Sequence, residues 1–324
     1  MADVLDVNVS FVGKQANEVI IQPIMEAHAI ETFFDTRPDI TYKEQLALNT
    51  TLRRIIRKYT GCGFSADGDV INVFEKYLEV CKLKVNLEQC AQNIGTSFFV
   101  DLMKKGTDID DLTDTEIQDF IVARVMESLT LDVPELTWFG DTDSEDEFLS
   151  SCDGIWKRIF EAIAEYSGQR LYVFGASLGD CEALDAMRAL YSNAPAELDA
   201  QPEGNKQILL TRELYDNYLN CREDACCGDK SWDMLEQGKR QLYFRGIPVY
   251  KMTEWTEAIN FHGLDFPHRI MYTLKGNLVV GTDAVSSDNS LKFWYDEKDE
   301  MNYIKLKMKW GTQMIYEGLT VVGY

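Results

Sequence analysis

The sequence contains few of the residues that carry common chemistry, beginning with histidine. Only three histidines occur among 324 residues, and they lie outside any spacing typical of metal ligands. None of the eight cysteines forms a Cys-x-x-Cys pair, and the adjacent Cys226 and Cys227 are poorly placed to bind one tetrahedral zinc ion together. We therefore expect no metal site and no cofactor, and we expect the cysteines to act as small buried thiols rather than as a disulfide scaffold.

Positive charge is scarce too. There are 32 Lys and Arg residues against 54 Asp and Glu residues, which gives a formal net charge of −22. Such a charge repels phosphate backbones and disfavours non-specific nucleic-acid binding. No apolar run approaches the ~20 residues of a membrane span, and the acidic start Met1–Asp6 differs from a secretory signal. We expect a cytosolic protein that does not cross a membrane.

The composition is typical of a globular protein. Hydrophobic residues make up 45% of the chain, and a chain of this length usually divides its core, so we expect at least two subdomains. The first forty residues, with an apolar stretch of no clean period, predict an extended arm. Between Tyr42 and Tyr59, apolar and basic residues mix with the spacing of a short amphipathic helix. Its basic face would carry Arg53, Arg54, Arg57 and Lys58.

Further along, the patterns become more regular. Alternation from Tyr77 to Leu87, with Lys82 and Lys84 on the polar side, predicts a strand within a projecting hairpin over roughly 60–90. The capping box Thr113–Glu116 predicts the start of a long helix that ends at Pro134. A second helix is predicted from Asp153 to about Ala164.

The C-terminal half alternates strand and helix signals. From Arg170 to Ala284 the pattern predicts a mixed α/β module. After it, Ile304–Trp310 and Leu319–Val322 predict two strands, the first with lysines on its outer face.

Acidic residues are concentrated in one stretch. Between Gly106 and Asp153 there are fifteen acidic residues and one basic residue, Arg124. This stretch is either a solvated surface or an interface that meets the basic face Arg53–Lys58 on another copy of the chain. Within it, Asp141, Asp143 and Glu145 belong to an acidic loop that lacks the spacing and the central glycine of an EF-hand.

One motif suggests catalysis. Gly175–Gly179 fits the Gly-x-Ser-x-Gly elbow of serine hydrolases, with Ser177 as the nucleophile and Asp233 and His262 (or His268) following in the required order. However, the successive parallel strands and the oxyanion loop of that fold are missing from the sequence before Ser177. We expect a structural turn and no enzymatic activity, and keep a cytosolic serine hydrolase as the alternative.

The order of segments resembles the major capsid proteins of tailed bacteriophages, with the Hong Kong 97-type fold. Local phrases are similar to coat proteins of phages and prophages from Bacteroides-type hosts: Gly13–Glu18, Trp138–Asp141, Cys152–Lys157, Leu214–Tyr218, Tyr243–Val249 and Asn277–Asp283. Each phrase has low specificity, whereas their order spans nearly the whole chain.

The resemblance implies an α+β fold with five parts: an N-terminal arm (1–40), a basic helix with the E-loop hairpin (41–95), a peripheral domain with the spine helix (96–168), an axial domain (169–284) and return strands of the peripheral domain (285–324). In this family, pentamers and hexamers form the shell around a double-stranded DNA genome, and the E-loop lies over a neighbouring subunit.

The same resemblance implies the surroundings of the protein. It would be a virion component assembled in the bacterial cytoplasm, with portal, scaffolding and decoration proteins as partners and no sequence-specific DNA binding. The arm begins near Met1, so scaffolding is expected to be separate or dispensable. Inter-subunit candidates are Lys14, Arg53, Arg54, Arg57, Lys58, Lys82, Lys84, Asp141, Asp143 and Glu145. An encapsulin-like compartment shell is a further alternative.

Overall fold

The computed structural model of the protein describes residues 9–12, 21–25, 28–49, 73–90, 116–165, 169–224, 233–234, 240–283 and 290–324. The strands within these ranges are β1 (Val9–Val12), β2 (Asp35–Arg37), β3 (Lys43–Asn49), β4 (Val73–Glu79), β5 (Cys81–Gln89), β6 (Arg170–Tyr172), β7 (Lys206–Thr211), β8 (Asp233–Met234), β9 (Arg240–Phe244), β10 (Ile247–Met252), β11 (Ile270–Leu274), β12 (Leu278–Thr282), β13 (Ser290–Asp296), β14 (Met301–Met314) and β15 (Val321–Gly323). The α-helices are α1 (Gln22–Met25), α2 (His28–Glu31), α3 (Glu116–Phe139), α4 (Ile155–Glu165), α5 (Glu182–Ser192), α6 (Ala196–Asp199), α7 (Arg212–Asp224) and α8 (Thr253–His262). The mixed helix and sheet architecture is the predicted one.

The first sheet is built around the long strand β14. Strands β1, β13, β14, β12 and β2 lie in that order, and β5 also pairs with β14. Ile304 and Leu306 of β14 are buried, whereas Lys307 is exposed. Because successive side chains of a strand point to opposite faces, one face of this sheet packs on the core and the other faces outward. The predicted alternation is confirmed from Ile304 to Met308, whereas Lys309 is buried instead of lying on the outer face.

Strands β3 and β4 form a separate two-stranded hairpin, from Lys43 opposite Glu79 to Asn49 opposite Val73. A hairpin is therefore present, but its first strand occupies the start of the predicted helix between Tyr42 and Tyr59. The helix prediction is wrong for 43–49 because cross-strand pairing overrides the local spacing, and Leu46 is buried. Strand β5, which follows the hairpin, pairs with β14 in the first sheet.

Helix α3 is confirmed within the described residues, but its predicted end is wrong. The helix continues through Pro134 to Phe139. Proline removes one backbone hydrogen bond, and burial of Leu136, Trp138 and Phe139 stabilises the last turns in spite of that loss. Helix α4 confirms the second predicted helix. Among the described residues, no helix is both long and apolar enough to cross a membrane.

The α/β module contains a seven-stranded sheet in the order β6, β15, β11, β7, β10, β9, β8. Consecutive residues of β7 serve two cores: Ile208 and Leu210 pack in the core of α5 and α7, and Leu209 packs in the core of α3, α4 and α8. Two strands lie elsewhere than expected. Strand β15 returns to this sheet, and β12 pairs with β14 in the first sheet. The chain therefore exchanges strands between the two sheets.

The described part of the arm packs against the body of the same chain. Ile21, Ile24 and Phe33 are buried in the core that contains α3, and the ring of Phe34 lies 4.8 Å from that of Trp138. Strand β2 adds to the first sheet beside β12. The prediction of an extended arm is therefore wrong for residues 21–25 and 28–40, because apolar side chains of both segments are buried in the chain's own core.

Two disulfide bonds correct the expectation for the cysteines. Cys81 is bonded to Cys152, and Cys181 to Cys221. The partners are separated by 71 and 40 residues, so no local spacing in the sequence indicates them. The first bond links the start of β5 to the segment before α4. The second links the residue before α5 to α7.

Candidate functional site

The base of the β3–β4 hairpin packs tightly against the first sheet at two glycines. A Cβ at Gly311 of β14 would overlap the carbonyl oxygen of Glu79. A Cβ at Gly281 of β12 would collide with the side chains of Ile40 and Leu78. Only glycine permits this approach, so the end of the hairpin at Lys43 and Glu79 is anchored to the sheet.

Polar contacts add to this attachment. The Gln313 amide donates to the Tyr77 carbonyl oxygen at 2.8 Å, and Lys76 forms an ion pair with Glu317. Lys43 Nζ lies 2.8 Å from Glu79 Oε1, and this hydrogen bond raises the pKa of Lys43. Strand β3 begins at this anchored base and β4 ends there. Asn49 and Val73 therefore lie at the opposite end of the two paired strands.

The acidic loop that follows α3 is organised around Lys157 of α4. Lys157 Nζ lies 2.9 Å from Asp141, 2.7 Å from Asp143 and 3.0 Å from Asp153. Burial by itself lowers the pKa of Lys157, but its hydrogen bonds to Asp143, Asp141 and Asp153 outweigh that effect and raise the pKa above its usual range. Burial alone would raise the pKa of Asp153, but hydrogen bonds from Thr142 and Lys157 hold it below its ordinary value. One ammonium group therefore holds three carboxylates together and offsets only part of the loop's negative charge.

A second side chain that binds carboxylates of this region is His262, at the end of α8. Its Nδ1 lies 2.8 Å from Asp146 and its Nε2 lies 2.8 Å from Glu135 of α3, and its ring stacks on Phe148. The hydrogen bond to His262 lowers the pKa of Asp146. Burial raises the pKa of Glu135 although His262 opposes the shift. Two hydrogen bonds to carboxylates need two protons, so either both ring nitrogens donate or a protonated Glu135 donates to Nε2.

The Gly175–Gly179 motif forms a turn before α5. The Gly179 amide donates to Glu182 at 2.6 Å, and the Asn217 amide donates to the Gly179 carbonyl oxygen at 2.9 Å. Ser177 is exposed within this turn. These contacts give the motif a structural role, because they hold the start of α5 against α7.

The proposed catalytic trio is not assembled. Both ring nitrogens of His262 are bonded to Glu135 and Asp146, so neither is available to Ser177 or Asp233. Asp233 lies on β8 at the edge of the seven-stranded sheet. The other candidate base, His268, has Nδ1 3.4 Å from Glu213. The alternative of a Ser177 hydrolase therefore lacks His262 as its general base, and among the described residues no hydrogen bond joins Ser177 to His268.

The structure places the predicted inter-subunit residues in two regions. Asp143 and Glu145 are exposed on the acidic loop, and Asp141 is half-buried there. Lys82 and Lys84 are exposed on β5. The remaining candidates lie outside the described residues: Lys14, Arg53, Arg54, Arg57 and Lys58. Sequence reasoning missed Lys157 and His262 as partners of the acidic stretch, since only the fold brings them together.

Comparison with known proteins gives matches at the level of structure. No family model and no curated protein matches the sequence. A capsid structure of Mycobacterium phage Ogopogo matches with a TM-score of 0.57 at 11% identity, covering 97% of this chain and 92% of that one. A procapsid structure of satellite phage P4 matches with a TM-score of 0.56 at 11% identity, covering 94% and 96%. The chain has a phage capsid fold.

An encapsulin shares the same fold. The SrpI encapsulin complex of Synechococcus elongatus matches with a TM-score of 0.55 at 9% identity, covering 93% of this chain and 88% of that chain. Within the capsid fold, the β3–β4 hairpin has the position in the chain that the resemblance assigned to the E-loop, and α3 has that of the spine helix. None of these matches bears on the resemblance to coat proteins of Bacteroides-type hosts.

Proposed function

We propose that this chain is the major capsid protein of a tailed bacteriophage. In this proposal it assembles as pentamers and hexamers into the icosahedral shell that encloses a double-stranded DNA genome. The main support is the capsid fold itself, which matches shell proteins over nearly the full length of both chains. At 9–11% identity, these matches establish the fold, and the role is our inference from it.

The shape of the chain supports self-association. The β3–β4 hairpin is anchored at one end, and its buried side chains Leu46 and Leu78 pack in a small core separate from the main one. A hairpin held in this way is suited to contact a neighbouring copy, because two strands alone are marginally stable in water. The hairpin and the acidic loop are the surfaces that we assign to subunit contacts.

The wider setting belongs to the same proposal. The partners would be portal, scaffolding and decoration proteins, and the site of assembly would be the cytoplasm of a bacterial host, of the Bacteroides type by resemblance. The basic segment Arg53–Lys58 would meet the acidic stretch Gly106–Asp153 of another copy. The excess negative charge of the chain would limit adhesion of the packaged DNA.

Electron microscopy of the expressed full chain tests the proposal. We expect rings, capsomers or closed shells in negative stain. Reversing Arg53, Arg54 and Arg57 to Glu should reduce their yield while leaving the circular dichroism spectrum unchanged. Particles that form with undiminished yield would refute the charge pairing, whereas an unassembled parent chain would refute the proposed function.

A compartment shell is a second candidate, favoured by the encapsulin match. Co-purification of one enzyme inside the particles, in place of DNA, would support it. The hydrolase alternative predicts labelling by a fluorophosphonate probe that Ser177→Ala abolishes. We expect no such labelling, because His262 is committed to two carboxylates.

A further inference from the structure

The outward face of the first sheet carries a cluster of lysines, which we call the lysine face. It consists of Lys82 and Lys84 of β5, Lys292 of β13, and Lys305 and Lys307 of β14. All are exposed except Lys305, which is half-buried. Within the described part of the chain, none of the five forms an ion pair, although the protein as a whole has an excess of carboxylates.

The strand register brings these lysines side by side. Lys84 lies directly opposite Lys307, and Lys292 lies directly opposite Lys305. Directly opposed residues on antiparallel strands have Cβ atoms about 4.5–5.5 Å apart, and like charges at that distance are destabilising. The isolated chain therefore gains nothing from this arrangement, and an anion from outside the chain would relieve the repulsion.

Protection of a sheet edge explains only part of the cluster. Lysines on an edge strand prevent unwanted pairing with other chains, and this accounts for Lys82 and Lys84. It does not account for Lys292, Lys305 and Lys307, because β13 lies between β1 and β14, and β14 lies between β13 and β5. The neighbouring Lys309, opposite Lys82, differs from them since it is buried and bonded to Asp283 at 2.7 Å.

A complementary surface is present on the same chain. In the acidic loop, Asp143, Glu145 and Glu147 are exposed, and Glu145 and Glu147 form no ion pair within the described residues. The loop is held in one conformation: the Asp146 carboxylate accepts the Phe148 amide at 2.8 Å, and Lys157 ties its start to α4. A preformed loop loses little conformational freedom on binding.

We infer that the lysine face binds the acidic loop of a second copy of this chain, through Glu145 and Glu147. This inference rests on the proposed shell function and names one contact within it. Two chains of charge −22 repel each other, so association needs a region where opposite charges meet. The lysine face and the acidic loop provide both halves of such a contact on every copy, which is the requirement for a head-to-tail interface that closes a ring.

A charge-swap experiment on the full chain tests the contact. The variant Lys84→Glu/Lys307→Glu keeps a like-charged pair in the sheet. Its free energy of unfolding should therefore be close to that of the parent. We expect its assembled fraction in sedimentation to fall roughly tenfold, since opposed like charges at an interface are strongly unfavourable. Glu145→Lys/Glu147→Lys should have a similar effect. The combination of all four changes should restore assembly to within about threefold of the parent, because both surfaces are then reversed.

The matched control is Arg212→Glu/Lys275→Glu, which makes the same change in net charge at two exposed positions of the α/β module. It should assemble like the parent. Undiminished assembly of Lys84→Glu/Lys307→Glu would overturn the inference, and so would failure of the fourfold variant to recover. A parent that binds a duplex DNA oligonucleotide, with binding lost in Lys84→Glu/Lys307→Glu, would assign the face to nucleic acid instead. A parent that itself stays monomeric would refute both the proposed function and this contact.

Discussion

At the scale of single residues, carboxylates of the acidic stretch are bonded to side chains that α4 and α8 contribute. Lys157 binds three aspartates, and His262 connects Glu135 of α3 to Asp146 of the loop. These contacts hold the loop against α3, α4 and α8. In this way, part of the excess negative charge of the acidic stretch takes part in contacts within the chain.

Removing His262 should make the folded state more sensitive to pH. At neutral pH, His262→Ala should lower the free energy of unfolding by about 1–2 kcal/mol, because Glu135 loses its donor. The loss should shrink as the pH falls through the range in which the two carboxylates take up protons. There, Glu135, whose pKa is raised by burial, takes up a proton, and the stability that Asp146 gains from its lowered pKa disappears as it too is protonated. Urea unfolding at two pH values measures the difference.

The control for this prediction is Glu135→Gln in the His262→Ala background. A neutral amide needs no cation, so this variant should recover part of the lost stability at neutral pH. An equal loss at both pH values, with no recovery, would show that His262 acts by packing on Phe148 alone.

A second residue-level prediction concerns the anchoring of the hairpin. Gly311→Ala should lower the free energy of unfolding by about 1–3 kcal/mol, because the new Cβ overlaps the backbone of Glu79. Gly318→Ala is the matched control, since a Cβ there meets no atom within 4 Å. Equal stability of the two variants would contradict the tight packing between β14 and the hairpin.

Residue patterns predicted some of this detail and not the rest. Alternation identified the outward lysines of β14, and the elbow motif at Ser177 was correctly expected to be a turn. The partners of His262 could not be predicted from the sequence, because Glu135 and Asp146 lie 127 and 116 residues away along the chain. Such contacts depend on how the helices pack, and the local spacing of residues does not indicate that packing.

At the scale of elements, the β3–β4 hairpin is the feature that the proposed function ties most directly to assembly. Asn49 and Val73 are Cα partners, so the chain leaves and returns at the same point of the hairpin. A two-residue Asn-Gly turn can therefore replace residues 50–72. We expect this variant to keep its circular dichroism spectrum and its thermal unfolding but to lose assembly in sedimentation. Assembly at the parent's yield would show that residues 50–72 make no essential subunit contact.

The two disulfides give a separate prediction for the elements that they join. Each closes a long loop, so reduction should lower the free energy of unfolding by roughly 2–4 kcal/mol per bond. Urea unfolding with and without a thiol reductant measures this. In Cys81→Ala/Cys152→Ala the effect of the reductant should be about half as large. An effect of the same size in that variant would mean that the first bond contributes nothing.

Elements were predicted best where one pattern was long. The helices α3 and α4 were predicted from the sequence, whereas β3 was mistaken for the start of a helix. Leu46 and Leu48 fit either period, and the pairing with β4 decided the outcome. The end of α3 was missed because the burial of Trp138 outweighs the effect of Pro134.

At the scale of the whole molecule, two observations have to be reconciled. The chain has the fold of shell proteins, yet its charge of −22 opposes the approach of identical copies. The lysine face and the acidic loop resolve the conflict if opposite charges meet at each contact. Moderate salt should therefore weaken this contact while it relieves the general repulsion.

Sedimentation velocity of the full chain over a range of concentrations tests the central claim, that this protein functions by self-association. The account predicts discrete species far larger than the 37.1 kDa chain, and these should grow in proportion as the concentration rises. A single monomeric species at every concentration, in both low and moderate salt, would contradict it.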